Sequence, residues 1–225
     1  MMAAMSTLLC LAALFCLAAP AGASEVAGQV TIKSALAPRA VGRKKVGGGY
    51  GSEAGGSQGG PTAEVDERSY VVVYLEPTRG TLKATPGQAV IAQKNKDFVP
   101  HVLPVVKGST VVFTNEDITL HHIYSTSSTR PFEIPKYPRG QRKSITVDRL
   151  GVVEIFCGLH PRMNAYILVL SNDYFTMAGA DGSFTLKNVP PGTYTLKAWH
   201  PRVKEISSQT ITVPASGKAT VNVSL

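Results

Sequence analysis

The chain has 225 residues, a formal net charge of +8, five His, three Cys and a single Trp. That length holds one large domain or two small ones. The few aromatics leave little room for a large cofactor pocket, and no P-loop or H-E-x-x-H pattern occurs. The basic residues lack the aromatic or motif context of a nucleic-acid binder. Gly and Pro are frequent, and Val and Thr recur in short alternating runs, which predicts an all-β fold.

Residues 1–23 carry no charge and read as a signal peptide. Leu8 to Ala19 is an apolar run, and Ala21-Gly22-Ala23 is an A-x-A cleavage signal before Ser24. The run is short of the roughly 18 residues that a membrane span needs. Leu9 and Phe15 stand before Cys10 and Cys16, where a lipidation signal wants a small residue. The expectation is a periplasmic or otherwise exported protein, with no stable membrane span after cleavage. Of its three Cys only Cys157 would remain. A lone thiol in an oxidising compartment has no internal disulfide partner, so its neighbours become informative.

Glu25 to Lys33 predicts a first strand. Ser34 to Pro61 is Gly-rich, carries Arg43-Lys44-Lys45, and cannot bury enough apolar surface to order itself. Ser69 to Pro77 predicts a second strand. Between Gln88 and Leu170 about eight strands follow with the turn spacing of a sandwich. They lie at Ala89–Gln93, His101–Val106, Ser109–Asn115, His121–Ser125, Phe132–Ile134, Lys143–Val147, Gly151–Phe156 and Ala165–Leu170. Asn115-Glu116-Asp117 reads as the break after the third of these.

The last two strands flank Cys157, His160 and Met163, spaced C-x2-H-x2-M. A thiol, an imidazole and a thioether are soft or borderline donors that suit copper in both oxidation states. A blue copper site has two His and one Cys in a plane with a weak axial Met, so one more imidazole is needed. The pair His121-His122 offers it. Side chains on a strand alternate faces, so one of the two can point at the metal. Zinc could use Cys and His but would leave Met163 idle.

The segment from Gln88 to Leu170 resembles a cupredoxin, the family of plastocyanin, pseudoazurin and amicyanin. "FVPHVLPVVKGSTVVFTNED" matches the family's run F-x-P, then G-x-x-V-x-F-x-N, and "GVVEIFCGLHPRMNAYILV" matches its closing ligand loop. C-x2-H-x2-M with Pro161 after the His is similar to amicyanin. The resemblance implies a Greek-key sandwich with one mononuclear type 1 copper, held equatorially by His121, Cys157 and His160 and axially by Met163. His122 competes for the first position, although the six-residue spacing from Asn115 favours His121. Members often carry Asn after the first ligand, where it ties the two ligand loops together; here that residue is His122. In the family the second loop His passes electrons through its exposed edge. That role would fall to His160, framed by Leu159 and Pro161, with Arg162 beside it suiting an acidic partner.

Past Leu170, "DGSFTLKNVPPGTYTLKAWH" is similar to the carboxypeptidase regulatory-like, transthyretin-like sandwich. About four strands are expected, at Ser183–Lys187, Thr193–Trp199, Ser208–Val213 and Ala219–Leu225. The combination resembles methylamine-utilisation and plastocyanin-like exported proteins. The tail alone has too few strands to cover two apolar faces. The expected division is therefore 1–23 signal peptide, 24–87 N-terminal strands and Gly-rich loop belonging with the tail, 88–171 cupredoxin, and 172–225 the regulatory-like sandwich. Insertion of the cupredoxin into the second sandwich predicts that Val30 and Val72 meet the Tyr194–Trp199 strand. His101 is expected as a surface or packing residue, and for His200, beside Trp199, an ordinary role such as capping the domain interface is expected over a second copper.

The function expected is that of an exported carrier of single electrons, not an enzyme. Its partner would be a redox protein such as a c-type cytochrome or a dehydrogenase, with no nucleic acid involved. A copper chaperone or buffer is the alternative, although no Met-rich or His-rich tract supports it. A structural module with a non-redox metal site is the other.

Overall fold

A computed structural model describes residues 24–33 and 66–225. The signal-peptide reading and the Gly-rich tract from Ser34 to Pro61 lie outside the described residues. Among the described residues the chain forms strands and one short 3-10 turn, so the fold is all-β as expected.

The chain enters through β1 (Ser24–Thr31), the turn Glu67–Tyr70 and β2 (Val72–Pro77). It then runs through β3 (Gln88–Lys94), β4 (Asp97–Val99), β5 (Val102–Val106), β6 (Ser109–Asn115), β7 (His121–Ser125), β8 (Phe132–Tyr137), β9 (Arg142–Val147), β10 (Gly151–Cys157) and β11 (Asn164–Leu170). It ends with β12 (Phe175–Met177), β13 (Ser183–Val189), β14 (Gly192–Trp199), β15 (Ser207–Val213), β16 (Gly217–Thr220) and β17 (Val223–Ser224).

The middle strands make two facing sheets, in the orders β4-β3-β6-β9 and β5-β11-β10-β7-β8. Their alternation is strict where it matters. In β7, His121, Ile123 and Ser125 are buried while His122 and Tyr124 are not; in β10, Val153, Ile155 and Cys157 point inward. The core between the sheets includes Ile91, Phe113, Ile123, Ile155 and Ile167, all fully buried. Each such side chain contributes about 1.5–3 kcal/mol by leaving water. The three-residue β4 was not expected; it is too short to show alternation, and Phe98 anchors it in the same core.

The outer strands make a second pair of sheets, β13-β1-β16 with β17 also on β1, and β12-β2-β14-β15. β2 lies between β12 and β14, with Val72 opposite Trp199. Val30 shares one core with Leu75, Tyr194, Leu196 and Ala198. The first two strands thus supply one strand to each sheet that the tail could not complete alone. The single strand expected over Ala219–Leu225 is split into β16 and β17. Val221 crosses over Gly28 at the break, donating its N–H to the Ala27 carbonyl at 2.9 Å. A Cβ on Gly28 would lie 1.7 Å from the Val221 carbonyl oxygen, so only glycine allows the crossing.

The two sandwiches meet through Val72, Tyr74 and Trp199 on one side and Val102, Leu168 and Leu170 on the other. His101 packs its ring 4.9 Å from that of Tyr70 and 5.5 Å from that of Tyr166. His200 is buried, with Nε2 3.2 Å from Glu67 Oε2, and Arg202 pairs with the same carboxylate. Both histidines take packing positions.

Candidate metal centre

β7 and β10 are neighbours with Cys157 opposite Ile123. In an antiparallel pair this register sets His121 and Cys157 on the same inward face at one end of the sandwich. The loop after Cys157 then folds back on itself. The Cys157 N–H donates to the Met163 carbonyl at 3.0 Å, and the Met163 N–H donates to the His160 carbonyl at 2.9 Å. This brings His160 over the thiol.

The distances define a compact triad. Cys157 Sγ lies 3.6 Å from His121 Nδ1 and 3.4 Å from His160 Nδ1. The two imidazole rings are 4.9 Å apart between centroids. Among the described residues these three form the one group of His, Cys and acidic side chains close enough to hold a metal ion. An ion about 2.0–2.3 Å from each donor separates trigonally arranged donors by about 3.5–3.8 Å; the two thiol–imidazole spacings, 3.6 and 3.4 Å, lie within and just below that range. Met163 is buried in the same core as Cys157. His121 and Cys157 are buried, and His160 is half-buried, with Leu159 exposed beside it.

His122 points away from this group. Its Nε2 lies 2.9 Å from Glu133 Oε1 and its ring stacks on Tyr124 at 5.7 Å. It nevertheless ties the two loops together, through its backbone: the Gly158 N–H donates to the His122 carbonyl at 2.9 Å. The His122 ring covers Gly158 so closely that a Cβ there would lie 2.2 Å from Nδ1.

Asp117, read from sequence only as part of a strand break, touches the site. Its Oδ2 is 2.9 Å from His121 Nε2. Burial pushes the Asp117 carboxyl up, but hydrogen bonds from the Lys96 N–H, the His121 ring and the Asn95 N–H outweigh it and hold the group below the ordinary carboxylate range. Asn115 shapes the loop that carries Asp117, donating from Nδ2 to the Thr119 and Tyr137 carbonyls and accepting the Asp117 N–H at Oδ1. An acidic residue four positions before a candidate ligand was the available signal. Burial, with the charges of His121 and Lys96, pushes the His160 imidazole below its usual value.

Residues 161–225 match the family described as carboxypeptidase regulatory-like domain. No curated protein matches the sequence. Among solved structures, the chain is similar to a purple cupredoxin from Nitrosopumilus maritimus, with 24% identity over 36% of this chain and 99% of that one and a TM-score of 0.34. It is also similar to a reduced amicyanin variant, with 18% identity over 44% of this chain and 98% of that one and a TM-score of 0.36. A copper-containing nitrite reductase from Thermus scotoductus matches with 26% identity over 44% of this chain, which spans 26% of the reductase, at a TM-score of 0.36.

Proposed function

We propose that this chain is an exported carrier of single electrons, with one copper ion held by His121, Cys157 and His160 and weakly by Met163. The observation that carries the reading is the convergence of a buried thiol and two imidazole Nδ1 atoms close to the spacing one ion requires. Thiolate and thioether suit the reduced metal and imidazole the oxidised one, so copper there supplies a one-electron couple.

The residues around the donors divide the remaining work. β7 and β10 hold His121 and Cys157 in a packed core, so little moves when charge changes. His160 is half-buried beside exposed Leu159, and in the loop leading into His121, Ile118 is 87% exposed and Leu120 46% exposed. This apolar rim excludes water from a partner's contact, and Lys96 and Arg162 favour an acidic partner such as a c-type cytochrome or a dehydrogenase. Residues 88–171 form the carrier, inserted between 24–87 and 172–225, and residues 1–23 direct export and are removed. Among the described residues no helix is long and apolar enough to cross a membrane. No step here needs the chain to act as an enzyme.

Adding Cu(II) to purified residues 24–225 tests this. The expected result is an intense thiolate-to-copper charge-transfer band, bleached on reduction and missing in Cys157→Ala. A protein that takes up zinc but gives no such band with copper would leave a metal-stapled structural module instead.

A further inference from the structure

Two separate stretches of chain converge on the Asp117 carboxylate, and a third contact fixes its backbone. From β7, His121 presents Nε2 to Oδ2 at 2.9 Å. From the turn between β3 and β4, the Asn95 N–H donates to Oδ1 at 2.6 Å and the Lys96 N–H to Oδ2 at 2.9 Å. From its own loop, Asn115 Oδ1 accepts the Asp117 N–H at 2.9 Å. Asn95 and Lys96 both have positive φ, 55° and 58°. A lysine rarely adopts that conformation, and here it aims two successive N–H groups at one carboxylate. The side chain is 13% exposed, so the group is held in place largely out of water.

A neutral imidazole has one N–H, and the partner of one nitrogen decides what the other can do. A carboxylate at Nε2 can only accept, so the proton belongs on Nε2 and the lone pair on Nδ1, which faces Cys157 Sγ. A negative charge behind the ring also makes Nδ1 more electron-rich and favours the more highly charged state of a metal in front of it. We infer that Asp117 is a positioning residue for His121, fixing the Nδ1-donor tautomer and lowering the reduction potential of copper held at this centre. The second half of this inference rests on the copper reading above; the first does not. The two imidazoles thereby differ: His121 is buried and charge-backed, while His160 is half-buried and lies within reach of the positive charge of Lys96.

Nitrogen-15 NMR of the metal-free wild-type protein is the first test. The expected result is His121 protonated on Nε2, with that preference lost in Asp117→Ala. A proton on Nδ1 in the wild type would overturn the inference, whether or not copper binds. The second test is Asp117→Asn, which removes the charge and keeps an acceptor oxygen for only one of the two turn N–H groups. In the copper-loaded protein the potential should rise and Cu(II) affinity fall about 10–100-fold, while the Cys157-dependent band persists. An unchanged potential and affinity with an intact band would overturn the role in tuning.

Discussion

His121 and His200 make an instructive pair, one in each half of the molecule. Both side chains are fully buried, and both have a carboxylate oxygen near Nε2, at 2.9 Å for Asp117 and 3.2 Å for Glu67. The difference lies at the other nitrogen. His200 Nδ1 accepts the Arg202 backbone N–H at 3.2 Å, so the lone pair on that nitrogen is used by the chain itself. His121 Nδ1 is aimed at a thiol that a second imidazole also faces. A buried histidine with an acidic neighbour is therefore not a site; a lone pair converging with other soft donors is.

The largest test of this contrast is deletion. His121→Ala should abolish the copper–thiolate band, whereas His122→Ala and His200→Gln should leave it. Loss of the band in His122→Ala with retention in His121→Ala would reverse the assignment of the first imidazole.

Packing comes next. Ile155→Ala in the metal-bearing sandwich and Leu196→Ala in the other each empty a fully buried position and should cost about 2–5 kcal/mol. Urea unfolding would measure this. Because Val72 and Trp199 pack against Leu168 and Leu170 across the junction, both variants should shift one common transition. Two separable transitions would show that the sandwiches unfold independently.

The smallest expected effect is in pH. Burial pushes the His200 imidazole below its ordinary value of 6.5, and the opposing charge of Glu67 does not restore it. The unfolded chain then binds more protons than the folded one just below 6.5, so stability rises with pH across that window. The metal-free protein should keep its full contribution from His200 above pH 6.5 and lose it as the pH falls towards the lowered folded value. His200→Gln should flatten that part of a thermal-stability profile, and an unaltered profile would place the dependence elsewhere.

Much of this architecture is legible in the chain, and the reasons are local. Ser109 to Asn115 and Thr193 to Trp199 alternate apolar and polar residues with period two, so their strands are visible without neighbours. Cys157, His160 and Met163 lie within one short loop, so their donor chemistry reads as a spacing. The choice between His121 and His122 is less local, because it depends on which face β7 turns inward, and the pairing of Cys157 with Ile123 shows which. β4 and the split between β16 and β17 are too short, or too dependent on the Gly28 crossing, to leave a pattern.

What the chain dictates is the set of donors and the periodicity of the strands, since both follow from residues a few positions apart. What tertiary structure alone decides is convergence. Asn95 and Lys96 meet Asp117 from a separate turn, and β2 finds its place beside β14 across more than half the described chain. Such meetings depend on sheet order and on the closing of two cores, and no window of sequence contains the burial that drives them.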